Sequence, residues 1–124
     1  NVTEIKAINS RILDLREYDA IKNEITKFKP HFIFHLAAQP LVSHSYENPI
    51  ETYSTNIFGT INVLESIRVK CPNSLLVFSS SDKAYGETKK LPYKESHPLN
   101  GLNPYDASKA SADLIVRSYN KSLW

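Results

Sequence analysis

A single cysteine, Cys71, occurs in the 124 residues. No internal disulfide can form, and a cysteine-rich zinc site cannot be built. The four histidines, His31, His35, His44 and His97, lack metal-ligand spacing. Glycine is scarce: Gly59, Gly86 and Gly101 are the only three, and none forms a glycine-rich turn that would seat a pyrophosphate on a helix N-terminus. The longest apolar run, Phe32 to Ala38, is interrupted by His35 and falls far short of the ~20 residues a membrane span needs. Charge of one sign is also missing. Fifteen Lys plus Arg stand against thirteen Asp plus Glu, and a net +2 this dispersed excludes a nucleic-acid footprint. Repeats, low-complexity tracts and Gly/Ser linkers are absent. The polar opening, Asn1-Val2-Thr3-Glu4, predicts no signal peptide, so a reduced cytoplasmic setting is expected.

What is present is ordinary globular protein of about one domain, 41% hydrophobic and 23% charged, which excludes a collagenous or disordered chain. The chain opens without Met and closes on Trp124 inside a helical pattern, so both ends read as cuts through a larger fold.

The pattern is α/β. Arg11-Ile12-Leu13-Asp14 predicts a short strand, and Tyr18, Ile21, Ile25 and Phe28 fall at helical spacing before Pro30. Phe32-Ile33-Phe34-His35-Leu36 predicts a strand covered on both faces, and Leu75-Leu76-Val77-Phe78 a second buried one. Between them, Asn48 as N-cap, Pro49 at the first helical position and Glu51 at N3 open a helix with Ile50, Tyr53, Ile57, Ile61, Leu64 and Ile67 along one side. Pro72-Asn73 breaks it. Glu87 to Pro104 is a polar, proline-rich loop, and Tyr105 to Leu123 a final helix. Strand, helix, strand in this order predicts parallel strands in a doubly wound sheet, which binds ligands beyond the carboxyl ends of its strands. Ala37-Ala38-Gln39 and Ser79-Ser80-Ser81-Asp82-Lys83 would share that edge.

Tyr105 and Lys109 stand four apart, on one helix face. A free tyrosine titrates near ~10, and a neighbouring ammonium favours its phenolate, which turns it into a usable base. Tyr and Lys at that spacing occur on many solvated helices, and Ser81-Asp82-Lys83 alone is an ordinary strand-ending turn. Together, after a parallel-strand pattern, they favour a site in which the Ser81 hydroxyl bonds a substrate oxygen and the Tyr105 phenol.

With Thr55-Asn56-Ile57-Phe58-Gly59-Thr60, the run His35-Leu36-Ala37-Ala38-Gln39-Pro40-Leu41-Val42 and Asn103-Pro104-Tyr105-Asp106-Ala107-Ser108-Lys109, the chain resembles the extended short-chain dehydrogenase/reductases. Among their branches it is most similar to the CDP-glucose 4,6-dehydratases, from about Asn9 to the end. The resemblance implies a partial Rossmann-type sheet with flanking helices. Residues 1–124 would be the central part of the NAD(P)-binding domain, without its N-terminal glycine-rich strand-turn-helix and without a C-terminal substrate domain.

The resemblance also implies roles. Tyr105 would take the proton of the sugar 4-hydroxyl while C4 gives hydride to tightly bound NAD. Lys109 would lower the Tyr105 pKa and bind the nicotinamide ribose, and Ser81 would hold the 4-oxygen. Lys83 would then remove the C5 proton, Asp82 would protonate the departing 6-hydroxyl, and hydride would return to C6. The product is a 4-keto-6-deoxy sugar nucleotide of deoxysugar and lipopolysaccharide O-antigen biosynthesis. Related dehydratases carry glutamate at the position of Lys83; a lysine base needs desolvation or a cation such as Lys109 nearby. Asp14 would hydrogen-bond the adenine amino group with Leu15 beside it. Ala37, Ala38 and Gln39 would let the cofactor approach the backbone, Asn56 would support the site from its helix, and Ser79 would join the cofactor contacts.

The residues by themselves leave other readings open: a helix N-cap for Asp14, strand-end packing for Ala37 and Ala38, and a satisfied mid-helix amide for Asn56. His35 is expected as a hydrogen-bonded core residue, His44 as a loop residue near the site, and Cys71 as inert. Ala84-Tyr85-Gly86 stands closer to the epimerase branch. A nucleotide-sugar 4-epimerase, which needs no Asp82-Lys83 pair, and a non-catalytic truncated fragment therefore remain alternatives. The family commonly forms homodimers through a four-helix bundle, here through the helices starting near Pro49 and Tyr105, with Phe58, Val63, Ile115 and Tyr119 on the sides turned from the sheet.

Overall fold

The computed structural model describes residues 9–89 and 91–124. The polar opening segment, residues 1–8, and Lys90 of the long loop lie outside the described residues. Helix α1 (Tyr18–Phe28) leads to strand β1 (Phe32–His35). Helices α2 (Val42–Glu47) and α3 (Pro49–Tyr53) follow, then a π turn (Ser54–Phe58) running straight into α4 (Gly59–Lys70). Strand β2 (Leu75–Phe78), a 3-10 turn (Asp82–Tyr85) and α5 (Pro104–Ser122) complete the order.

The two strands are parallel, Phe32 opposite Leu75 and His35 opposite Phe78, and the helical crossover joins them as in a Rossmann-type doubly wound sheet. Alternation decides what each strand face meets. Ile33 and Leu76 point to α1 and α4, where they pack on Ile21, Val63 and Ile67 with Leu15 and Ile25. Phe32, Phe34, Leu75 and Val77 point the other way and are exposed. The expectation of strands covered on both faces is therefore corrected: among the described residues the core lies on one side only.

Three further local expectations differ. Residues 11–14 form no strand but lead into a turn, because the carboxylate of Asp14 folds back on Arg16 and the Asp14 carbonyl accepts the Glu17 N–H at 3.0 Å. The Asn48 side chain makes no cap bond; α2, unforeseen in the sequence, brings His44 alongside, and Glu51 accepts from His44 Nε2 at 3.0 Å instead. The single apolar stripe from Ile50 to Ile67 is broken by the π turn, whose extra residue rotates α3 against α4. Ile50 is left 83% exposed, while Leu64 and Ile67 are fully buried. Val63 stands one turn before Ile67 within α4 and packs with it on Ile21 of α1, so it is a core residue and not part of an outer face.

Helix α5 starts as its sequence directs. Asn103 accepts the Asp106 N–H at 2.9 Å, and Pro104 occupies the first turn. No helix among the described residues is long and apolar enough to cross a membrane.

Candidate active site

The chain leaves both strands at the same edge. After β1 the backbone of Gln39 is seized by Asn56: the Gln39 N–H donates to Asn56 Oδ1 at 2.8 Å, and Asn56 Nδ2 donates to the Gln39 carbonyl at 3.1 Å. Asn56 sits in the π turn, and that widened turn aims its amide at the loop. Its Nδ2 also donates to Ser108 Oγ at 2.9 Å, and Ser108 in turn donates to the Tyr105 carbonyl at 2.7 Å. One buried amide thus ties the β1 loop to the helix turn that carries Tyr105 and Lys109. The Gln39 side chain is consumed locally, with Nε2 donating to Thr52 Oγ1 at 2.8 Å and Oε1 accepting the Leu41 N–H. Gln39 therefore shapes the loop, whereas Ala37 is exposed and Ala38 half-buried at its lip.

After β2, Lys109 closes the edge from α5. Its Nζ donates to the Ser79 carbonyl at 2.6 Å and lies 5.0 Å from the centroid of the Phe78 ring. Burial pulls the Lys109 ammonium below the usual lysine value, with Asp113 opposing. His35, under the same edge, bonds Thr60 Oγ1 through Nε2 at 3.0 Å. Its pKa falls to about 4, through burial first and the charge of Lys109 second. It is the core histidine expected.

Ser81 caps the 3-10 turn: its Oγ accepts the Lys83 N–H at 3.2 Å and donates to Asp82 Oδ1 at 3.3 Å. The bond between Ser81 and the Tyr105 phenol expected from the sequence is not formed, because the Ser81 hydroxyl is spent on this cap and no hydrogen bond of the described chain uses the Tyr105 hydroxyl. Lys83 and Asp82 are exposed, so the described residues do not provide the desolvation expected around Lys83. Helix α5 packs on the 3-10 turn, which keeps Ser81, Asp82, Lys83, Tyr105 and Lys109 at one end of the sheet.

Asp14 and Leu15 form a separate group at the start of α1. Both Asp14 oxygens accept from the Arg16 guanidinium at 2.9 Å, and these bonds hold the Asp14 carboxyl down to about 2. Asp14 is not the helix N-cap; Glu17 occupies that position. The Leu15 carbonyl accepts from Asn62 Nδ2 of α4 at 2.8 Å, and a Cβ at Gly59 would stand 3.0 Å from that of Leu15, so the glycine allows α4 to press on this turn. Residues missed by sequence reasoning are Thr52, Ser108 and Asp106. Ser108 and Asp106 lie inside the quoted run from Asn103 to Lys109, but only burial distinguishes them from their neighbours.

A family model described as GDP-mannose 4,6 dehydratase matches residues 2–123. The chain is 41% identical over 118 residues to a CDP-glucose 4,6-dehydratase of Salmonella typhimurium, covering 94% of this chain and 33% of that protein. It is 38% identical over 109 residues to a putative UDP-glucose 4-epimerase of Methanocaldococcus jannaschii, covering 87% and 35%. Among solved structures it superposes on a UDP-glucose 4-epimerase of Brucella ovis in complex with NAD at TM-score 0.84 and 28% identity, covering 91% of this chain and 34% of that one. A dTDP-glucose 4,6-dehydratase of Streptomyces venezuelae with NAD bound gives TM-score 0.81 and 29% identity, covering 89% and 33%. The chain spans about a third of the length of the curated relatives it matches.

Proposed function

The chain belongs to the GDP-mannose 4,6-dehydratase family of extended short-chain dehydrogenase/reductases, and from that premise we propose that the whole protein is a nucleotide-sugar 4,6-dehydratase acting on CDP-glucose with resident NAD. The observation that carries the reading is the acid–base pair Asp82-Lys83, exposed on the 3-10 turn against the helix of Tyr105 and Lys109.

The residues present fit NAD. Ala37 and Ala38 leave the β1 edge low enough for close backbone approach. Asp14, kept ionised by Arg16, already takes two Arg16 contacts on each oxygen, so it would hold an adenine amino group by exchanging one of them. Lys109 uses one of its three ammonium protons on Ser79 and keeps two for ribose hydroxyls. When bound, NAD supplies the acceptor for the C4 hydride and its donor at C6.

The rest belongs to this chain. The Tyr105 phenolate accepts the proton of the sugar 4-hydroxyl, and Ser81 Oγ, exchanging its bond to Asp82 for one to the substrate, holds the 4-oxygen. The resulting 4-ketone acidifies C5–H, and Lys83 Nζ takes that proton. Asp82 delivers a proton to the 6-hydroxyl as it leaves as water. General acid–base steps of this kind contribute about 10²–10⁴-fold each. We assign a homodimer to the outer sides of α3, the π turn and α5, where Ile50, Phe58 and Leu114 are exposed.

A second reading, a 4-epimerase, draws on Ala84-Tyr85-Gly86 and on the similarity to epimerases. Product analysis of the whole protein with CDP-glucose and UDP-glucose tests both. A 4-keto-6-deoxy product, absorbing in strong base, is expected. An epimer without that absorbance overturns the dehydratase, and no product from either sugar favours a non-catalytic chain.

A further inference from the structure

Phe78 is the last residue of β2, and alternation turns it to the side of Leu76, toward the helices. It stands opposite His35 in the parallel register, and the two rings lie 5.6 Å apart, tilted by 41°. His35 is itself buried and bonded to Thr60. The half-buried Phe78 ring is therefore braced from the strand beside it, and the Lys109 ammonium lies over its face, 5.0 Å from the centroid.

Lys109 is 6% exposed, so its ammonium has given up most of its water. Among the described residues its hydrogen bonding replaces that water with one acceptor, the Ser79 carbonyl. One oxygen does not serve three N–H groups. An aromatic face attracts a cation and offers a neutral amine little. The ring thus favours the charged form of Lys109, against the burial that disfavours it. Asp113, one turn further along α5, acts in the same direction but also pairs with Arg117 at 2.6 Å. From β1, His35 is neutral and adds no opposing charge. On the other elements packed against α5, Asp82 and Lys83 of the 3-10 turn, Glu47 of α2 and Lys70 of α4 are exposed. His44 of α2 pairs with Glu51 of α3, and Glu65 of α4 with Arg68.

We propose that Phe78 is a positioning residue of the Tyr105–Lys109 pair, its ring face keeping the Lys109 ammonium charged at the Ser79 carbonyl. The inference rests on the reading of Tyr105 as base and Lys109 as the cation that favours its phenolate, a reading the dehydratase and the epimerase share. A leucine at 78 would fill much of the space without the negative face. Lys109 would then lose its proton at lower pH, and Tyr105 would lose the charge that makes it a base.

The test follows kcat/KM of the whole protein, with resident NAD, against pH, for the product formed from CDP-glucose. In the wild type the basic limb reports loss of the Lys109 proton. Phe78→Leu should move that limb down by about one pH unit, a roughly tenfold weaker hold on the proton. A trifluorinated phenylalanine at position 78 keeps the ring's outline while cancelling its negative face, and it should move the limb the same way. Should Phe78→Leu fail to fold, the trifluorinated protein decides. A kcat/KM lowered equally at every pH, with the limb in place, means packing alone and overturns the proposal. So does a trifluorinated protein with the wild-type limb, or a wild type without a basic limb. If the wild type instead yields an epimer, the dehydratase reading falls, and the same limb measured on that product decides this inference. No product from CDP-glucose or UDP-glucose overturns the reading and the inference together. Normal product beside an unmoved limb in both variants overturns the inference alone.

Discussion

Replacing Asn56 with alanine tests the connection on which the candidate site depends. Asn56 is 3% exposed and makes three bonds: from the Gln39 N–H at 2.8 Å, to the Gln39 carbonyl at 3.1 Å and to Ser108 Oγ at 2.9 Å. Ser108 keeps its bond to the Tyr105 carbonyl when the amide is lost, but both Gln39 backbone groups are left buried without their partners. Each such group costs roughly 1–3 kcal/mol, and a water entering the vacated space recovers part of that. The expected loss is about 2–4 kcal/mol of a total of roughly 5–15. Urea unfolding of the whole protein measures it, read as a lower midpoint at constant slope. Activity should fall as well, because the β1 loop and the Tyr105 turn are no longer held to one another. Asn56→Asp should be no better: it keeps the acceptor for the Gln39 N–H but turns a second acceptor toward the Gln39 carbonyl. A stability change within about 0.5 kcal/mol together with full activity in Asn56→Ala would refute the reasoning.

Burial keeps His35 neutral, with its pKa at about 4 against 6.5 in an unfolded chain. Between those values the unfolded state binds the extra proton, so stability is lost as the pH falls from about 6.5 to about 4, by roughly 3 kcal/mol in all. In His35→Gln, denaturant unfolding across that window should show a shallower slope; an unchanged slope contradicts the assignment. Tyr105→Phe should retain the melting temperature, since no hydrogen bond of the described chain uses the hydroxyl, while turnover falls by about 10² or more. A variant that turns over normally would remove Tyr105 from the chemistry. Gly86 holds φ +69°, and a Cβ there would stand 2.2 Å from the Asn100 carbonyl oxygen. Gly86→Ala should therefore lower stability by about 2 kcal/mol or more in a thermal melt, and a neutral result would show that the loop yields freely.

Element type was legible where a short apolar run or a helical spacing met a strong stop signal. Phe32–His35 and Leu75–Phe78 are strands, α1 ends before Pro30, and α5 opens on Asn103-Pro104 as its residues demand. The shared edge was legible for the same reason: parallel order sends both strand ends to one side, and Lys109 does reach the Ser79 carbonyl there. Less legible was what each side chain does on arrival. Gln39 lies among the residues expected at a cofactor, yet its amide is spent on Thr52 and Leu41; Ser81, expected on the Tyr105 phenol, caps a 3-10 turn.

Local pattern therefore decided the two strands, helices α1 and α5 and the residue types at the carboxyl edge, because propensity, capping and periodicity act over a few neighbouring positions. Tertiary packing decided the rest. One extra residue in the π turn rotates Ile50 outward and aims Asn56 at a loop 17 positions away and a helix 52 positions away. Partners so distant in sequence compete for the same few donors and acceptors, and which pair wins is set by how the helices pack.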